Sequence, residues 1–168
     1  MNWEEFCEKI KINNGIEQFA IKEPYKFKIL YFADKSHKKV KFRPWIIFRL
    51  NNTDLCCMTI MCTTSPKKLL IYKFDEDAGM CVLQISEGTY PSIFTDFTYI
   101  DCNIKEQENR KTFNQLQNNI DWNLGVKTIQ GDIPQKLTED LVNAIVKSPF
   151  TPPYIKVGFK NKYAYLFN

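Results

Sequence analysis

The sequence predicts a mainly β domain with added helices, its strands closed as a small β-barrel. Short alternating apolar segments recur with turn signals about every ten residues, the spacing of small barrels. Aromatic residues that fit a pleated, half-buried surface are plentiful, with 13 Phe and 8 Tyr. The strongest helical pattern comes late, in LTEDLVNAIVKS, after the strand-like segments. A chain of 168 residues, 44% hydrophobic, is long enough to bury a real core and suits one domain over 1–168.

Taken in order, residues 2–12 set Trp3, Phe6, Cys7 and Ile10 on one helical stripe, and Asn13-Asn14-Gly15 stops it. After Pro24, Phe27, Ile29, Tyr31 and Ala33 alternate as in a strand. A basic loop follows, then the continuous apolar run Trp45–Leu50 of a central strand. Asn51-Asn52-Thr53-Asp54 is a turn, and Leu55–Cys62 returns as the next strand. Alternation over Lys68–Phe74 predicts another strand, Asp75–Gly79 a turn, and Met80–Ile85 and Phe94–Cys102 two more strands. Residues 105–119 are polar and helical, with Phe113 and Leu116 as apolar contacts. In the late helix Thr138 is the expected cap, Leu137 staples onto Val142, and Leu141, Val142, Ile145 and Val146 form the apolar stripe. Pro149, Pro152 and Pro153 end it, and Tyr154–Phe159 with Tyr163–Phe167 predicts a terminal hairpin turning at Lys160-Asn161.

Charge and cysteine usage narrow the setting. The net charge of +4, from 23 basic and 19 acidic residues, is too mild to establish nucleic-acid binding by itself. No segment approaches the roughly 18 apolar residues that cross a bilayer. MNWEEFCEKI carries acids where a signal peptide carries cations and an apolar run, which points to the cytoplasm. Cys7, Cys56, Cys57, Cys62, Cys81 and Cys102 lie in or beside apolar runs and read as buried thiols. Zinc would be the sharper reading of Cys56, Cys57 and Cys62, but paired C-x-x-C spacing is absent and His37 lies far upstream, so no metal is expected.

Several chemistries lack their residues. The single histidine, the absence of a G-x-S-x-G elbow and the lack of an orienting acid beside that histidine argue against a serine hydrolase. Neither G-x-x-x-x-G-K-[ST] nor G-x-G-x-x-G occurs, so no glycine loop cradles phosphates. What stands out is Lys35–Arg43, where four lysines, one arginine and His37 fall within nine residues just before Pro44. Pro44 biases Arg43 to an extended conformation, so a strand begins there. A hairpin return through Leu55–Cys62 would bring Thr64 beside Arg43 at one rim of a sheet. A guanidinium and a hydroxyl under a lysine loop suit a phosphate. The same residues also describe an ordinary solvated loop and an ordinary Thr-Thr-Ser-Pro turn.

These segments resemble the MazF/PemK (Kid) toxins of type II toxin–antitoxin systems. The likeness lies in a first strand at Lys26–Ala33, a charged loop at Asp34–Phe42 and Arg43-Pro44-Trp45-Ile46-Ile47. It continues in Thr64-Ser65 after MTIMCT, in Ile100-Asp101 of FTDFTYIDC, and in Gly131 before the helix Leu137–Ser148. The resemblance covers residues 26–148, leaving 1–25 as an N-terminal helical extension and 149–168 as a C-terminal hairpin extension.

The resemblance implies an SH3-like small β-barrel plus helices, usually a homodimer, without cofactor. It implies an endoribonuclease that cleaves single-stranded RNA, often messenger RNA, with no metal. The ribose 2′-OH attacks the adjacent phosphate and leaves a cyclic phosphate and a 5′-OH, so DNA does not react. By carry-over Arg43 is the phosphate clamp and candidate acid, Thr64 donates to the phosphorane and Ser65 assists. Tyr31 and Trp45 read first as core residues and second as stacking surfaces. Lys35, Lys38, Lys39 and Lys41 would draw in RNA, and a cognate acidic antitoxin would cover them. The family's loop acid is missing from Ser36-His37-Lys38-Lys39, which makes His37 the candidate base. The rivals are a non-catalytic nucleic-acid-binding module and a protein-interaction scaffold on the same barrel.

Overall fold

Strand pairing decides the fold class, and the computed structural model, which describes residues 1–14, 23–53, 55–129 and 132–168, shows an open sheet. Gly15, Asp54 and Gly131, expected at a helix end, in a turn and ahead of the closing helix, lie outside the described residues. In chain order the elements are α1 (Trp3–Asn14), β1 (Lys28–Ala33), β2 (Phe42–Phe48), β3 (Cys56–Thr63), α2 (Lys67–Ile71) and α3 (Glu76–Met80). Next come β4 (Val82–Ile85), β5 (Thr98–Asp101), α4 (Glu106–Asn109), β6 (Arg110–Thr112), α5 (Phe113–Asn119), a 3-10 turn at Trp122–Leu124 and β7 (Lys127–Thr128). The chain finishes with α6 (Gln135–Lys147), α7 (Pro153–Lys162) and a 3-10 turn at Ala164–Leu166.

The seven-stranded sheet runs β4-β5-β3-β2-β1-β7, with β6 also paired to β3. Among the described residues no ladder joins β4 to β7. This corrects the expected SH3-like barrel: closure needs the outer strands to pair, and here they end the order. The fold is mixed α/β with an open sheet.

Contacts gather in two compact units. The first comprises Met1–Thr59 and Arg110–Asp132, the second Ile60–Asn109 and Ile133–Asn168. In the first, β1 and β2 are antiparallel from Lys28↔Ile47 to Ala33↔Phe42, and β7 adds to β1 through Leu30↔Thr128 and Tyr31↔Lys127. The Thr128 hydroxyl donates to the Ile29 carbonyl at 2.8 Å and secures that short strand. β6 pairs the start of β3 through Cys56↔Thr112 to Met58↔Arg110. Thr112 then caps α5 in a reciprocal capping box with Gln115. Of the expected first-helix stripe, Phe6 and Ile10 are fully buried and Cys7 partly. Phe6 stacks on Phe113 at 5.6 Å, which ties α1 to α5.

In the second unit β5 pairs β4 from Val82↔Asp101 to Ile85↔Thr98, and pairs the end of β3 through Cys62↔Ile100 and Thr63↔Tyr99. α6 buries Leu137, Leu141, Val142, Ala144, Ile145 and Val146, the predicted stripe and more. A buried polar network locks the chain behind it. The Asn103 amide donates to the Ala78 carbonyl at 2.9 Å and to Asp101 Oδ1 at 2.8 Å, and accepts from the Ser148 hydroxyl at 2.7 Å. Tyr72 donates to Asp101 Oδ2 at 3.0 Å.

Several local expectations fail: β6 interrupts the helix expected over 105–119, α3 occupies most of the turn expected over Asp75–Gly79, and three more fail for identifiable reasons. Lys68–Phe74 is not a strand. Pro66 has φ −77° and its carbonyl accepts from the Leu69 and Leu70 amides, so a helical turn starts there and leaves Leu70 and Ile71 exposed. α6 begins a turn before Thr138: the Thr138 amide is already bonded to the Pro134 carbonyl, so its side chain does not cap. The C-terminal hairpin expected over 149–168 is α7 and a 3-10 turn. Pro152 and Pro153 open the helix, because a missing N–H costs nothing in the first turn. Ile155, Phe159 and Tyr163 then fall on one buried stripe.

Two outcomes follow for stability. Asn103→Ala strands the Asp101, Ala78 and Ser148 groups and lowers unfolding free energy by about 2–4 kcal/mol, read from the urea midpoint at unchanged slope. Burial, reinforced by Glu4, pushes the Cys7 thiol up to about 12 from the ordinary 9.0, and burial also raises Cys81 and Cys102. The folded chain thus holds these protons more tightly than the unfolded chain. Their contribution is complete below the ordinary thiol value and is lost as pH rises from 9.0 towards about 12. Urea midpoints measured at rising pH will fall across that window, and less steeply in Cys102→Ala.

Candidate functional site

The basic loop is anchored at its base by a buried carboxylate. Asp34 closes β1 with only 8% exposure, and such a group needs hydrogen-bond donors. The loop supplies them. The Ser36 amide and hydroxyl donate to Asp34 Oδ1 at 2.8 and 2.5 Å, an Asx turn. The His37 amide donates to the Asp34 carbonyl at 3.3 Å. Flanking backbone adds a clamp: Lys35 N–H donates to Asn119 O at 2.7 Å and Asp121 N–H to Ala33 O at 2.8 Å.

That turn aims the imidazole. His37 Nε2 lies 3.6 Å from Asp34 Oδ2, and the ring meets Trp45 edge-on at 5.8 Å. Trp45 in turn stacks on Phe32 at 4.9 Å with planes 10° apart, and both are buried. Sequence reading missed Asp34 as an acid beside His37. It stands three residues before His37, at the end of the strand alternation, and looked like a loop polar residue. The expectation that no acid accompanies this histidine is therefore corrected.

Strand parity places Arg43. It pairs across the ladder with Phe32, and as the residue two before Trp45 it shares that face. Arg43 is half-buried, at the second position of β2. Arg43 and His37 thus flank one aromatic pair, Phe32 and Trp45, within the first unit. Lys35, Lys38, Lys39 and Lys41 are all exposed on the loop above. Between residues 31 and 48 Asp34 is the only acid, so the rim carries a concentrated positive field.

Thr64 and Ser65 belong to the second unit. Thr64 is exposed just past β3. Ser65 is part-buried; its amide donates to Thr63 Oγ1 at 3.1 Å and its hydroxyl accepts from the Lys67 amide at 3.4 Å. Both hydroxyls therefore sit in the turn that converts β3 into α2. The second unit also holds an open cleft of about 900 Å³ among Leu69, Met80, Cys81, Val82 and Ala144, with Glu76, Asp77 and Lys147 on its lining. Cys81 there is held protonated by burial, which makes it a poor nucleophile. The six cysteines are free thiols, and among the described residues no three His, Cys, Asp or Glu side chains gather as metal ligands. No described helix is long and apolar enough to cross a membrane.

No protein family, characterised sequence or solved structure that was compared matches this chain. One measurement tests the anchor. In Asp34→Ala the Ser36 amide loses its acceptor, and its hydrogen exchange quickens by roughly tenfold, the worth of one such bond.

Proposed function

We propose that the chain is an endoribonuclease of the toxin type that cuts single-stranded RNA by 2′-OH transesterification. The observation that carries this reading is the Asp34–His37 pair, held against Trp45 at the rim where Arg43 enters the sheet, beneath four exposed lysines. With Nε2 turned to Asp34, the other ring nitrogen is the base that takes the 2′-proton. The 2′-oxygen then bonds to phosphorus as the bond to the 5′-oxygen breaks. Arg43 offsets the charge on the phosphorane oxygens and, as the acid, gives a proton to the leaving oxygen, which departs as a 5′-OH; the proton held by the imidazolium returns to Arg43 through solvent. Asp34 acts through His37 and is a positioning residue. Thr64 and Ser65 belong to the second unit, and this reading of the chemistry rests on His37 and Arg43 of the first.

The reading entails a cytoplasmic protein restrained by an acidic antitoxin, whose carboxylates would meet the loop lysines. Its test is incubation of the purified chain with mixed-sequence single-stranded RNA in EDTA, with the product ends mapped. Cyclic-phosphate and 5′-OH ends are expected from the wild type. Rates should fall about 10²–10⁴-fold in His37→Ala and Arg43→Ala, and less in Asp34→Asn. Intact RNA from the folded wild type would assign the chain to the non-catalytic binding modules instead.

A further inference from the structure

The other face of the same hairpin end carries an aromatic surface that the cleavage chemistry does not use. Parity puts Tyr31 and Phe42 opposite to Phe32, Arg43 and Trp45. That face is closed further along by Ile29, Ile46 and Phe48, all fully buried, and opens only at its end. There Phe42 is 40% exposed and lies over Tyr31 at 6.3 Å with planes 20° apart. Lys127, the ladder partner of Tyr31 on β7, holds its ammonium 5.7 Å from the Phe42 ring centre. Lys127 is exposed, and among the described residues no carboxylate pairs with it.

These features fit one kind of ligand. An exposed ring seated on a second, near-parallel ring is a rigid apolar plane of the size of a nucleobase, and stacking tolerates any base. A cation held by a π-face alone exchanges readily for a phosphate. Lys41 stands next to Phe42, and the acid-free segments on both sides, 35–48 and 122–129, complement a polyanion. We infer that Phe42, Tyr31 and Lys127 form a base-stacking subsite for single-stranded RNA. Phe42 receives a base and Lys127 turns to the neighbouring phosphate. The inference rests on the proposed RNA substrate and adds a contact outside the reacting centre. Because Phe42 and Arg43 are consecutive residues on opposite faces, the stacked base flanks the clamped phosphate and is not attached to it. The chain of nucleotides then bends around the end of the hairpin.

The test reads binding without cleavage. A fluorescein-labelled oligouridylate, 2′-O-methylated throughout so that it cannot react, is titrated by anisotropy against an abasic oligomer of the same backbone. Both probes are measured on the full chain and on Phe42→Ala, Phe42→Trp and Lys127→Ala, each checked for an unchanged thermal midpoint. Phe42→Ala should weaken the base-containing probe by about tenfold, the worth of one stacked base, and the abasic probe by less than about twofold. Phe42→Trp should restore the loss, and Lys127→Ala should weaken both probes alike and flatten the salt dependence. Equal losses for both probes in Phe42→Ala, or no loss in either, would overturn the subsite, as would failure of the wild type to bind the oligouridylate. The nuclease reading fails separately: a wild type that stacks the probe but never cuts RNA keeps the subsite and loses the chemistry. One that cuts RNA yet ignores Phe42→Ala keeps the chemistry and loses the subsite.

Discussion

The buried Asp34 carboxylate is the constraint on which the loop end of the first unit depends. A carboxylate at 8% exposure must collect donors nearby, and here they are the amide and hydroxyl of Ser36. His37 bonds the Asp34 carbonyl and sets its ring 3.6 Å from the carboxylate. Satisfying Asp34 therefore fixes Ser36 and His37, and with them the exit direction of the loop. The backbone clamp from Lys35 to Asn119 and from Asp121 to Ala33 braces the same point from the other side. A loop of like charges would otherwise repel itself into extended conformations. The anchor converts it into a cationic rim held in one place, directly over the start of a buried strand.

The strand itself explains why two different surfaces lie so close together. β1 and β2 bury residues on both faces, so their near-continuous apolar runs pack above and below the sheet. At the open end the pleat sends consecutive residues to opposite sides. Arg43 shares its face with Phe32 and Trp45; Phe42 goes with Tyr31, towards Lys127. One step along the backbone separates a charge-bearing face from an aromatic one. Pro44 keeps the strand start extended and so preserves this division.

How far this was legible in the sequence differed by residue. The alternation of Ile29 and Tyr31, the R-P entry and the apolar stripe of the late helix each carry a local signal that packing then used. Lys68–Phe74 carried a false one: leucines and aromatics on both parities fit a strand, and only Pro66 and the Thr63–Ser65 hydrogen bond show why the chain coils there instead. The terminal segment was misread for a related reason. Tyr154–Phe159 alternates, yet Ile155, Phe159 and Tyr163 also recur every four residues, and the paired prolines that end one helix start the next. Sheet closure was beyond local reading, since it depends on whether distant strands pair. The role of Asp34 was hidden because an Asx turn brings together side chains that a list of spacings treats as loop filler.

On the proposed reading, this modest assembly suffices because the substrate brings its own nucleophile. The ribose 2′-OH is tethered next to the phosphorus, so no water must be captured and activated. What remains is to set the 2′-oxygen in line with the leaving oxygen, remove one proton and offset one added charge. An oriented imidazole and a guanidinium cover the last two demands. Alignment is the harder demand, because a single strand of RNA samples many backbone angles and few are in line. Binding energy realised away from the phosphorus can select those angles. Lysines alone cannot do so, since point charges slide along a polyanion without fixing register. An aromatic plane on the far side of Arg43 can, for it holds a base at a set distance from the clamped phosphate and forces the backbone to turn between them.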